Sequence, residues 1–109
     1  MKLISLIHEI CVGEQFEDIT APDFYACMNL HPCQCVLKIK PREKIRVCYL
    51  ISLMKEQLPE QDKDKWKEAI LKHLDIDEDY YKSKYREPVS DLPSIPNQKF
   101  AKEMDGIFR

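Results

Sequence analysis

Apolar residues in the first stretch of the chain fall at Leu3, Leu6, Ile7, Ile10 and Cys11, with Ser5, His8 and Glu9 between them. That spacing follows the 3.6-residue period and predicts an amphipathic helix closed by Gly13, whose tolerance of positive φ suits a helix end. Thr20-Ala21-Pro22-Asp23 predicts the next helix start. Thr20 can cap, proline is tolerated in the first turn, and Asp23 sits near the positive end of the helix dipole. Phe24, Cys27 and Met28 then share a face, and Pro32 ends that element.

Pro41 opens a helix over 42–58. Val47, Leu50, Ile51, Met54 and Leu58 form its stripe, and Ile45, Cys48 and Tyr49 widen it past half the circumference. A helix apolar over so much of its surface is expected at the centre of a bundle. Pro59 stops it. A fourth helix over 60–74 turns Trp66, Ala69, Ile70, His73 and Leu74 inward and Lys63, Lys67 and Lys72 outward. Asp75-Ile76-Asp77-Glu78 has the spacing of a capping box, with Asp75 as the cap. The fifth helix carries Tyr80, Tyr81 and Tyr85 and ends before Pro88.

Pro88, Pro93 and Pro96 predict an extended tether. Asn97 would cap a last short helix with Phe100, Met104, Ile107 and Phe108 on one side. The expected organisation is a helical domain over 1–87, a proline-rich linker over 88–96 and an amphipathic helix over 97–109. The fold class is mostly α: a single compact bundle of about five helices plus the tethered sixth. Residues 33–39 are where strand competes with helix. Cys33, Cys35, Leu37 and Ile39 alternate with Gln34, Lys38 and Lys40, and only Val36 breaks the pattern.

Composition sharpens this picture. Of 109 residues only Gly13 and Gly106 are glycines, too few for the turns of a sandwich or barrel. A net charge of −2 with pI near 5.9 lowers the expectation of a dedicated nucleic-acid binder. The opening MKLISLIHEIC is broken by His8 and Glu9 and does not read as a signal peptide. No run of roughly 20 apolar residues exists to span a membrane. A cytoplasmic protein with reduced thiols is the expectation, and five cysteines, an odd number, agree with it.

Candidate chemistry centres on Cys27, His31, Cys33 and Cys35, which supply the right atoms for a metal. Their spacing lacks the paired Cys-x2-Cys units that let thiolates converge on zinc, so buried structural thiols are preferred and no metal or cofactor is expected. There is no glycine-rich phosphate loop and no paired-histidine metal helix, so neither an enzyme nor a small-molecule ligand is expected.

Three surfaces remain as interaction candidates. The segment 71–86 has the rhythm of a helix-turn-helix ending in Lys82, Lys84 and Arg86, yet Asp77, Glu78 and Asp79 occupy the turn that would meet DNA. Lys38, Lys40, Arg42, Lys44 and Arg46 crowd cations at a helix N-terminus, against the dipole, which points to an acidic partner. The tail stripe of Phe100, Met104, Ile107 and Phe108 could dock on another protein or on a second copy in a homodimer, or pack on its own core. The reading is a small non-catalytic protein that engages a protein partner or itself, through the tail stripe first and the basic segment second. A nucleic-acid-binding accessory protein is the alternative.

Overall fold

The middle helix organises the molecule. In a computed structural model that describes residues 3–31 and 36–108, Val47, Cys48, Tyr49, Leu50 and Ile51 are buried in unbroken succession. A helix apolar all round needs neighbours on every side, and the chain supplies them. The helices of the described residues are α1 (Ile4–Cys11), α2 (Ala21–Met28), α3 (Lys44–Lys55), α4 (Glu60–His73), α5 (Glu78–Lys84) and α6 (Ile95–Phe108), with a 3-10 turn at Glu87–Val89. α4, α5, the 3-10 turn and α6 all pack on α3, while α1 pairs with α2. Among the described residues there are no strands, so the fold is all-α. No described helix is long and apolar enough to cross a membrane.

Helix ends follow local chemistry. Thr20 Oγ1 accepts from the Asp23 N–H at 3.3 Å, and Pro22 lies in the first turn of α2. α4 closes in a Schellman motif: the Ile76 N–H donates to the Leu71 carbonyl at 2.8 Å and the Asp75 N–H to Lys72 at 3.2 Å. Asp75 takes the left-handed position with φ 57°. It is therefore not the cap of α5. Asp77 is, its side chain accepting from the Tyr80 N–H at 3.3 Å. The acidic run offers two possible caps. The buried Ile76, which pairs with Leu71 across the motif, decides between them. α2 ends the same way, the His31 N–H reaching the Ala26 carbonyl with Leu30 at φ 59°.

Three further expectations are adjusted. α3 begins at Lys44 because Lys40–Glu43 forms a turn first, with the Glu43 N–H on the Lys40 carbonyl at 3.1 Å. His73 is exposed, and Leu71 takes an inward place beside Ile70. The last helix starts at Ile95, since proline is tolerated in a first turn. Ser94 caps it, its carbonyl bonding the Gln98 N–H at 2.9 Å and its hydroxyl accepting from the Asn97 N–H at 3.4 Å.

The stretch 88–96 runs along the body. Pro88 is fully buried within the 3-10 turn, and that turn contacts both α3 and α6. The tail stripe consequently faces this molecule's own core. Phe100 and Met104 are buried, and Ile107 and Phe108 are half-buried against the same cluster. The Phe100 ring meets Tyr49 edge-on at 6.3 Å. A radius of gyration of 13.1 Å matches about 13 Å for a compact chain of this size, so α6 is not held at arm's length.

Met104→Ala should therefore lower unfolding free energy by about 2–5 kcal/mol, the usual cost of emptying a core site. Leu92→Ala, at a side chain 95% exposed, should change it by less than about 0.5 kcal/mol. Equilibrium urea denaturation of both variants measures the contrast.

Candidate functional site

The described residues of the 33–39 segment are extended. The Glu17 N–H donates to the Lys38 carbonyl at 2.9 Å and the Lys40 N–H to the Gln15 carbonyl at 2.9 Å, tying a strap over 36–40 to the loop after α1. Alternation holds there: Leu37 is buried and Ile39 half-buried, while Val36 (64% exposed) and Lys38 face out. Cys33 and Cys35 lie outside the described residues. The strap then enters the Lys40–Glu43 turn with Pro41 second and Arg42 third at φ 69°, the arrangement of a type II turn, whose third place ordinarily goes to glycine. An arginine there carries a strain of order 1–2 kcal/mol and projects its side chain from the tightest part of the bend.

Strap and turn form one wall of a groove of about 500 Å³, and the end of α4 forms the other. Lys38, Arg42 and Lys44 line the first wall, and His73 and Asp75 the second, with Glu17 also present. Leu37, Ile39 and Leu74 give it an apolar floor. Lys44 also sits over the Tyr80 ring, 4.8 Å from its centroid.

The five cations of the basic segment thus separate into two groups. Lys38 and Arg42 are exposed on the groove, with Lys44 half-buried beside them. Lys40 is structural, its Nζ donating to the Gly13 carbonyl at 2.6 Å. Arg46 is also structural, its side chain only 12% exposed. Its guanidinium grips Glu43 at both oxygens, through Nε at 2.6 Å and Nη2 at 2.7 Å, and Nη1 donates to Asn97 Oδ1 at 2.7 Å. Gln15 Nε2 donates to Glu43 Oε1 at 3.1 Å. This hub pins the α1 loop, the start of α3 and the start of α6 together.

Lys82, Lys84 and Arg86 do not line the groove. Lys82 pairs with Glu78 at 3.8 Å, Lys84 with Glu87 at 4.0 Å, and Arg86 stacks over Tyr85 at 5.2 Å. Of the proposed metal ligands, Cys27 is buried in the core and His31 is exposed beside the Tyr25 ring. Among the described residues no group of three or more potential ligands converges. Burial, with the negative field of Glu103 and Glu43 behind it, pushes the Cys11 thiol up to about 12. Burial likewise pushes Cys48 up to about 11, against the opposing pull of the Lys44 ammonium.

Two features escaped the sequence reading. Val89 in the 3-10 turn, Leu92 after it and Ile95 at the start of α6 are exposed apolar side chains, whereas Phe100 and Met104 of the stripe are buried. The hub joins residues 15, 43, 46 and 97, and no local pattern announces a contact of that range.

Comparison with protein-family models, with curated proteins and with solved structures found no match to this chain.

Arg46→Ala should cost roughly 2–4 kcal/mol, since it takes the donor from the buried Asn97 Oδ1 and leaves the Glu43 carboxylate with only the Gln15 amide. Lys38→Ala should be nearly neutral to thermal melting. Alkali should also weaken the fold. Above the ordinary thiol value of 9.0 the unfolded chain releases the Cys11 proton while the folded chain retains it. The unfolded state then binds fewer protons and stability falls as pH rises. Urea titrations at about pH 8 and about pH 10 should show this loss, and Cys11→Ala should reduce but not abolish it, because Cys48 and Tyr81 are shifted upward too.

Proposed function

We propose that the chain is a non-catalytic protein-interaction module whose groove between the 36–44 strap and the end of α4 receives a carboxylate-rich peptide segment of a partner. The observation that carries this reading is Arg42. A bulky cation occupies a backbone position suited to glycine, at the rim of a groove that also gathers Lys38 and Lys44. Strain kept where charge is displayed is the ordinary sign of a binding position.

Protein is favoured over nucleic acid on charge. Glu17 and Asp75 line the same groove, and Asp77 and Asp79 stand exposed at the neighbouring start of α5. A phosphodiester chain with dense, regular charge would meet those carboxylates, whereas a peptide can space its acids to avoid them. Val36 and the apolar floor add a place for one aliphatic side chain. The buried, proton-retaining thiols of Cys11 and Cys48 are themselves poor nucleophiles.

Arg42→Gly separates function from folding. It should relax the turn, leaving stability unchanged or up to about 1 kcal/mol higher, while weakening the interaction. Fluorescence anisotropy of a labelled peptide alternating glutamate with leucine should show binding that falls about tenfold in the Lys38→Ala/Arg42→Gly double variant and declines with salt. Tighter binding of a matched single-stranded or duplex DNA would overturn the protein reading in favour of nucleic acid. Peptide affinity unmoved by the double variant would remove the groove from the function.

A further inference from the structure

Leu92 is the most exposed large hydrophobic side chain among the described residues, at 95%, and Ile95 follows at 80%. The bend that displays Leu92 is tied down on both sides. Ahead of it, the Val89 N–H donates to the Arg86 carbonyl at 3.0 Å and the Ser90 N–H to the Glu87 carbonyl at 3.1 Å, and Pro88 in the same turn is buried. Behind it, Gln98 Nε2 donates to the Pro93 carbonyl at 3.0 Å, and Ser94 caps α6. Leu92 is therefore presented already ordered, which lowers the entropy a docking event must lose.

A hollow of about 600 Å³ lies between α3, the end of α5 and the 3-10 turn, with Tyr49, Tyr85 and Val89 as its apolar lining. Val89 is three residues from Leu92, so knob and hollow belong to one patch of surface. Three serines also line the hollow, and each is turned back on its own backbone. Ser52 Oγ donates to the Tyr49 carbonyl at 2.6 Å, Ser83 Oγ to the Asp79 carbonyl at 2.9 Å and Ser90 Oγ to the Glu87 carbonyl at 2.8 Å. With their protons committed, these hydroxyls do not call for an acceptor from outside, and an aliphatic side chain can enter without breaking a bond.

Charge gives the patch a direction. Glu87, on the rim of the hollow, pairs with Lys84 at 4.0 Å. Arg86, also on the rim, lies over the Tyr85 ring. Neither Arg86 nor Asp91 forms an ion pair among the described residues, and both are exposed. The hollow thus carries an unpaired cation, and the knob carries an unpaired anion next to its leucine. A ligand that suits the hollow would set an aliphatic side chain beside a carboxylate. This chain displays that pair itself, as Asp91-Leu92.

We propose that the chain forms a two-fold dimer in which Leu92 of each copy enters the hollow of the other and Asp91 of each meets Arg86 of the other. A two-fold contact needs its inserting and receiving parts in the same patch, because each copy must supply both. The patch around Val89 meets that condition. The contact is small, in the transient class below about 1,200 Å², so half-association falls on the order of 10–100 μM. It lies apart from the basic groove and does not depend on it.

Sedimentation velocity of the full chain between about 5 μM and about 500 μM tests it. The wild type should pass from monomer to dimer across that range. Leu92→Ala should weaken association about tenfold and leave the thermal melt unmoved. Arg86→Asp and Asp91→Arg each set like charges together in their own dimers, so each alone should weaken association about tenfold. An equimolar mixture of those two variants should recover to within about threefold of the wild type, since both contacts of the mixed pair are then attractive. Lys38→Ala/Arg42→Gly should leave association unchanged, which separates this contact from the peptide groove. Circular dichroism melts of every variant confirm folding. A chain that stays monomeric, species larger than a dimer, association that survives Leu92→Ala, or a mixture no stronger than its components overturns the proposal. Loss of association in Lys38→Ala/Arg42→Gly also overturns it and assigns the contact to the basic groove instead.

Discussion

The fold depends on the burial of α3 on all its sides. Five successive core residues, Val47 to Ile51, leave no face of that turn and a half for water. Each large aliphatic or aromatic side chain enclosed there contributes about 1.5–3 kcal/mol, but only if something covers it. α4, α5, the 3-10 turn and α6 are the cover. None of them is long enough or apolar enough to be self-sufficient in water, so each is held by α3 as much as it shelters it. The tail stripe of Phe100 and Met104 belongs to this economy of surfaces. It completes the enclosure, and the surface left for partners shifts to polar and charged edges.

Those edges are shaped by a scarcity of glycine. Leu30, Arg42 and Asp75 all adopt positive φ, and Gly13 is the one glycine that does. At Asp75 a short polar side chain tolerates the conformation, and at Leu30 a helix end requires it. Arg42 has no helix end to close. Its strained turn delivers the strap into α3 and brings Arg42 beside Lys38 at one wall of the groove, while Glu43, the next residue, anchors the hub through Arg46. One bend therefore serves the packing of α3 and the character of the surface.

Local chemistry was readable in the sequence wherever a decision involved neighbours in the chain. The Thr20 cap with Pro22 and Asp23, the all-round apolar α3 and the alternation of Leu37 and Ile39 were legible because periodicity and capping act within a few residues, whereas α3 ends at Lys55, ahead of the expected stop at Pro59. The cap of α5 was misplaced by two residues, since Asp75 and Asp77 carry the same side chain and only the burial of Ile76 distinguishes them. The extent of α6 was short by two residues because Asn97 resembles a cap while serving as an acceptor for Arg46. The destination of the tail stripe and the division of the basic segment into structural and displayed cations were not legible. Both depend on partners 27 to 51 residues away in the chain.

The seam between α2 and α4 gives the molecule a built-in optical probe. Trp66, the chain's sole tryptophan, is buried, and its indole N–H donates to the Met28 carbonyl at 2.8 Å, close to where α2 unwinds at Leu30. Its emission consequently reports the docking of α2 on the bundle, while four of the five tyrosines, Tyr49, Tyr80, Tyr81 and Tyr85, lie on α3, on α5 or at the end of α5. Opening of that seam would register in the tryptophan band alone, so the docking of α2 on α4 can be followed without attaching any dye.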